Sequence, residues 1–261
     1  DSINSLQPAL NTNILSELEE IKGIRDIHVL TGVPITIPYQ EEGFSARWLE
    51  GYLSTRPYTS RTETVSDYQS HPQNYYGMLK GIDESEFDYL NQSLGTPVDK
   101  EDFMNGKVCI MQYAGFEIST EDIKNQNIFF EVQDKSYEIA IGSVSYESYY
   151  TSPTIGPSLI VSKEYLERLV SEPYLLKMNT KYEKTYDENT ESSIMEILKH
   201  SPYSNDLPVL SKLEEMRTIQ ESQGNMQAIG TVIALLLLMV GVLNYVNTMA
   251  SGIQNRKLTF S

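Results

Sequence analysis

Three histidines, one cysteine and a scatter of carboxylates are the residues of this 261-residue chain whose types suit proton transfer, nucleophilic attack or metal binding. His28 lies between Ile27 and Val29 in a strand-like run, so alternation points it to solvent. His71 precedes Pro72 in a polar stretch. His200 falls at the end of a helix-like segment, where the dipole favours a cation. Cys109 is embedded in Val108-Cys-Ile-Met111 and reads as a buried strand residue. A single cysteine also rules out an intramolecular disulfide. The densest carboxylate group, Glu183, Asp187, Glu188 and Glu191, is accounted for by a charged helix N-terminus. No GxxxxGK[ST] loop, HExxH, CxxC or GxSxG motif is present. The expectation is a chain without catalytic, cofactor-binding or metal-ligating residues, and not an enzyme.

Tyrosine is abundant, at 18 residues, and peaks in Tyr146-Glu-Ser-Tyr-Tyr150, followed by Thr151-Ser-Pro153. Tyrosine is a good strand residue. It also serves at binding surfaces, because its ring is large, stiff and amphipathic. Structure is the first reading and ligand contact the second.

The formal net charge is -16. Nucleic-acid binding needs a basic face and is excluded on this balance. An acidic face attracts cationic peptides, or simply keeps a solvated surface soluble.

Apolar residues concentrate between Ala228 and Val246, and no charge occurs from Ser222 to Asn255. A run of 19 residues approaches the ~20 needed to cross a bilayer as a helix. Arg256 and Lys257 follow at once, while everything before the run carries about -18. Positive-inside logic puts the C-terminal end in the cytoplasm. Residues 1–225 are then extracytoplasmic, on a cell membrane. No signal peptide follows Asp1, and both ends read as cut from a longer chain.

Residues Leu10, Ile14, Leu18 and Ile21 mark one face of a helix, with Gly23 as its C-cap. Ile24–Leu30 and Val33–Ile37 read as strands, then Gln40–Asn74 as a long irregular loop. Tyr75–Ile82 reads as a strand, and Asp83 as the N-cap of a helix to Leu90. Lys107–Gln112, Asn127–Gln133 and Ser136–Val144 read as strands, with a turn at Asp134-Lys135. Ser158–Val161 is a strand, and Ser162 caps a helix through Val170. Tyr174–Lys181, a helix from Asp187, and Leu207–Leu210 form a β-α-β unit.

The fold class expected is α+β. A membrane-proximal α/β subdomain is drawn from both chain ends (1–74, with its irregular loop, and 171–210). An inserted β-rich subdomain occupies 75–170. A stalk helix (211–225) continues into a transmembrane helix (226–250), and 251–261 starts a cytoplasmic segment. Ser211-Lys-Leu-Glu214 is a capping box. No proline follows it, and Leu213, Met216 and Ile219 keep one stripe. A helix of about 38 residues is expected from Lys212 into the membrane, roughly 57 Å long.

The end of the chain carries the most specific pattern. Leu243-Asn-Tyr-Val-Asn-Thr-Met249 and Ile253-Gln-Asn-Arg-Lys-Leu-Thr-Phe260 resemble the second transmembrane helix of the FtsX-like, MacB-type ABC transporter permease family. Asn247, Thr248, Met249, Arg256, Lys257 and Phe260 match the family pattern, while Thr259 stands where Glu is common. The motif covers about 35 residues. The long permeases of low-GC Gram-positive bacteria are most similar in layout, with a first helix preceding Asp1. The resemblance implies a permease dimer in membrane lipid, driven by a separate ATP-binding subunit. It also implies a peptide, lipoprotein or antibiotic handled at the outer face. The rival class is a membrane-anchored sensor or ligand-binding ectodomain of a signalling receptor, which the sequence beyond Ser261 would separate from a permease.

Overall fold

The structure is a computed structural model, which describes residues 12–112, 116, 123, 126–184, 187–200 and 209–259. The chain divides into two compact units, Asp1–Leu207 and Pro208–Ser261.

The first unit is built on one seven-stranded mixed sheet, in agreement with the expected α+β class. Its strands are β1 (Ile24–Ile35), β2 (Gly77–Ile82), β3 (Val108–Gln112), β4 (Asn127–Val132), β5 (Lys135–Ser145), β6 (Ser158–Ser162) and β7 (Tyr174–Tyr182). Their spatial order is β4-β5-β3-β6-β2-β1-β7. β2 runs parallel to β6, and β3 parallel to β5, while the other neighbours are antiparallel. Beyond the end of β1, Thr36 exchanges backbone hydrogen bonds of 3.2 and 2.7 Å with Glu131 of β4, so the sheet curls back on itself. Because β2 pairs directly with β1, and β7 with β1, strands on either side of residues 75 and 170 share this one sheet.

Alternation along the central strands produces two cores. Leu79, Cys109, Met111, Leu159 and Val161 point to one face, with Phe44, Trp48, Tyr68 and Leu166 packed over them. Ile82, Ile110 and Ile160 point to the other, covered by Phe87, Leu90, Phe103 and Tyr150. β2 and β6 are buried at every position, as expected of strands covered on both faces. A third, smaller core joins the two ends of the unit. There helix α1 (Thr12–Glu19) contributes Ile14 and Leu18, and helix α7 (Glu188–Lys199) contributes Ile194.

The helices over the first face correct one expectation. Residues 40–74 are not an irregular loop but hold α2 (Phe44–Ser54) and α3 (Arg61–Ser70). Phe44, Trp48 and Leu49 form a helical stripe, and Ser60 Oγ accepts from Glu63 N to cap α3. The polar residues around these few apolar ones hid the period. Tyr68 anchors α3 by donating its hydroxyl to the Ile37 carbonyl at 2.7 Å.

Other boundaries shift for local reasons. The two segments expected at 24–37 join into a single β1. A short helix α5 (Lys100–Met104), capped by Asp99, was not foreseen. The β4–β5 turn falls on Gln133 and Asp134, both at positive φ (48° and 63°), one residue earlier than expected. That conformation matches the right-handed twist of a two-residue hairpin. Asp83 caps α4 (Glu84–Ser93) and Ser162 caps α6 (Lys163–Leu169), as the sequence implies. Leu10 and the first half of the strand expected at 207–210 lie outside the described residues; Val209 and Leu210 are not in a strand.

The second unit is α8 (Lys212–Thr259), a single helix of 48 residues and thus about 72 Å. Ser211 Oγ accepts from Glu214 N at 3.0 Å to start it. It runs ten residues past the expected length, because neither proline nor a charge run stops it. Within Lys212–Tyr245 it is long and apolar enough to cross a membrane: an 18-residue stretch of it has a mean hydropathy of 2.4, and none of that stretch is buried.

Candidate functional site

Most of the residues singled out for chemistry are explained by structure. Cys109 is fully buried, and burial pushes its thiol up to about 12, leaving it un-ionised at neutral pH. His28 is half-buried rather than solvent-facing. Its Nε2 lies 2.7 Å from Asp26 and 3.1 Å from Lys181 Nζ. His71 pairs with Asp67 at 3.1 Å, and the His200 ring nitrogen meets the Glu196 carbonyl at the C-terminus of α7. Asp187 caps α7 by accepting from Thr190 N, which holds its carboxyl below the usual range. An open polar cavity of about 550 Å³ lies beside this cap, lined by Lys22, Lys184, Asp187 and Thr190 among others. Among the described residues, no three His, Cys, Asp or Glu side chains converge as a metal site.

The tyrosine peak leads to a more unusual arrangement. Residues 148–150 form a 3-10 turn between β5 and β6. Tyr146 is exposed, Tyr149 is half-buried, and Tyr150 is inserted into the second core. Three strands reach up to hold the main-chain carbonyls of this segment. Gln112 of β3 donates its amide to Glu147 O at 3.2 Å. Lys177 of β7 donates to Tyr149 O, and Lys80 of β2 donates to Tyr150 O. The Lys177 ammonium also lies 5.2 Å from the centre of the Tyr149 ring. The far end of the segment is closed by Gly156, whose amide donates to Tyr76 O at 2.9 Å. A Cβ on Gly156 would lie 2.0 Å from Tyr75 O, so this approach requires glycine.

Lys80 is the extreme member. It has no exposed surface. Burial, and then the Lys177 charge, lower its ammonium to about 7. Burial alone lowers Lys177. Nearby, burial and then Asp83 raise the Glu86 carboxyl, and burial followed by Glu86 raises the Tyr149 phenol to about 12. Glu86 Oε2, Tyr149 OH, Gln112 Oε1 and Ser143 Oγ are buried without a hydrogen-bond partner among the described residues. Sequence reasoning missed Lys80. The signal was parity: Met78 and Ile82 flank it on the same apolar face, so a lysine there had to be buried.

No protein-family model matches the chain, and no curated protein matches it. Two solved structures are similar in chain path. One is the extracellular domain of the noncanonic ABC-type transporter YknZ from Gram-positive bacteria. It is 11% identical with a TM-score of 0.37, over 79% of this chain and 90% of that one. The other is the periplasmic region of MacB from Actinobacillus actinomycetemcomitans, 12% identical with a TM-score of 0.37, over 74% of each chain.

Proposed function

We propose that this chain is the outer domain and second transmembrane helix of an ABC transporter permease, and that α8 carries ATP-driven motion outward. The observation that supports this reading is α8 itself. One uninterrupted helix joins a charged first section, with Glu214, Glu215 and Arg217, to a charge-free section from Ser222 to Asn255. Leu235, Leu236, Leu237, Leu238 and Met239 are all more than half exposed along it. A continuous apolar surface of this kind is stable in lipid and not in water. The residue pattern from Leu243 to Phe260 adds the family resemblance.

On this reading the cytoplasmic end of α8 moves when a partner subunit binds and hydrolyses ATP. Hydrogen bonds in every turn make the helix stiff enough to pass that displacement on. The outer domain binds or handles a peptide, lipoprotein or antibiotic and catalyses nothing itself; reproducible turnover by the full chain on a peptide, ester or glycoside panel would overturn the last point. The permease works as a dimer.

Orientation is the direct test. The native Cys109 is buried and gives no labelling background. Thr59→Cys, in the exposed turn between α2 and α3, should react with a membrane-impermeant maleimide in intact cells. Thr259→Cys should react only after lysis. The reverse pattern, or labelling of both from one side, would sink the proposed topology.

A further inference from the structure

Lys80 and Lys177 are two lysines on one sheet face whose amino groups meet main-chain carbonyls rather than carboxylates. Among the described residues neither ammonium has a carboxylate within ion-pair distance, although the sequence holds 36 acidic residues. Each has a main-chain carbonyl instead: Tyr150 O for Lys80 and Tyr149 O for Lys177. Two successive main-chain oxygens are each taken by one lysine, a paired-donor arrangement that also suits a ligand carboxylate. What the carbonyls lack is the negative charge. A buried ammonium without a counter-ion is costly, and a methionine would fill the Lys80 position at lower cost. The surroundings add unused polar capacity. Among the described residues Gln112 Oε1, on a residue 3% exposed, has no partner, and neither does Tyr149 OH.

We propose that Lys80 and Lys177 form a site for a ligand carboxylate, with the Ser148–Tyr150 turn as the plug that fills it until a ligand displaces it. Besides this clasp the turn is held by the buried Tyr150 ring, by Tyr149 packed on the second core, by Gln112 on Glu147 O and by the Thr151 hydroxyl on Ser148 O. Its own backbone bonds are Tyr150 N to Glu147 O at 3.2 Å and Thr151 N to Ser148 O at 3.1 Å. A 3-10 turn of three residues has poor bond geometry and little stability of its own. An ammonium binds a carboxylate about twice as strongly as it binds a neutral carbonyl, which favours the exchange. The free amide oxygen of Gln112 and the Tyr149 hydroxyl are then available to the rest of the ligand. Two sources share this chemistry, a peptide C-terminus and a small free acid. The proposal does not depend on the permease reading, and its failure would leave the claims about α8 untouched.

The test uses the full chain in detergent micelles and follows amide hydrogen exchange in residues 146–157. The probes are acetate, N-acetyl-trialanine with a free carboxylate, and the same peptide as its C-terminal amide. The free-carboxylate peptide at saturation should speed exchange at the Tyr150 and Thr151 amides at least tenfold, and the amide form should not. An equal effect of acetate assigns the site to free acids; an effect of the peptide alone assigns it to peptide C-termini. Lys80→Met and Lys177→Met should each abolish the response, while Lys177→Arg should retain it. Lys177 is only half-buried, so its variants keep the test decisive where Lys80→Met fails to fold. If no carboxylate changes the exchange, or the amide form acts equally, or the lysine variants respond like the parent, the clasp is structural and the proposal fails.

Discussion

Lys80 and Tyr150 are 70 residues apart in sequence, yet the buried ammonium of one donates to the carbonyl of the other across the second core. The bond ties a central strand to the turn above it, and it makes stability depend on pH. The Lys80 ammonium titrates near 7 in the fold against an ordinary 10.5. Between those values the unfolded chain holds a proton that the fold has released, so stability rises as pH climbs from 7 towards 10.5. The slope from this group is at most about 1.4 kcal/mol per pH unit. Lys80→Met should remove that slope. Urea midpoints from pH 6 to pH 9.5 check this: the variant's midpoint relative to wild type should be highest below pH 7 and decline above it. Parallel curves would mean that Lys80 stays charged in the fold.

The other end of the same segment depends on Gly156. Gly156→Ala drives a methyl group into the Tyr75 carbonyl at 2.0 Å, and backbone on both sides must yield. The expected loss is about 1–3 kcal/mol, typical of overpacking. Gly95→Ala is the control, because nothing lies within 4 Å of its Cβ position. Equal midpoints for the two variants would show that the segment relaxes freely.

Much of the fold was legible in short patterns. Asp83, Ser162, Asp187 and Ser211 each cap the helix that the sequence assigns to them. Short apolar runs, such as Val108-Cys-Ile-Met111 in β3, marked strands. What escaped was information carried by tertiary packing. α2 and α3 expose so much polar surface that Phe44, Trp48 and Tyr68 looked isolated in sequence. The clasp escaped because the partner carbonyls belong to backbone 70 residues from Lys80 and 28 from Lys177, and backbone carries no sequence signal. The tyrosine peak was visible, but its carbonyls matter to the clasp as much as its rings.

In the second unit, Leu236 lies at the middle of the charge-free run and is 52% exposed. Leu236→Arg should raise the free energy of membrane insertion by roughly 3 kcal/mol on translocon-type scales. A glycosylation-mapping assay reads the inserted fraction directly. Insertion equal to the parent would remove α8 as a transmembrane helix.

The central claim is that α8 transmits motion as a stiff rod. Arg217→Pro removes one helix hydrogen bond and clashes with the preceding turn, a cost of about 3 kcal/mol or more, and should kink α8 in its charged section. Arg217→Ala retains the helix. The decisive measurement is the ATP-dependent change in hydrogen exchange of β7 in the outer domain, made on the permease assembled with its ATP-binding subunit. The account predicts that the alanine variant shows the change and that the proline variant loses it while keeping basal ATP hydrolysis. An equal ATP-dependent change in both variants would contradict a stiff α8 as the link between the two sides.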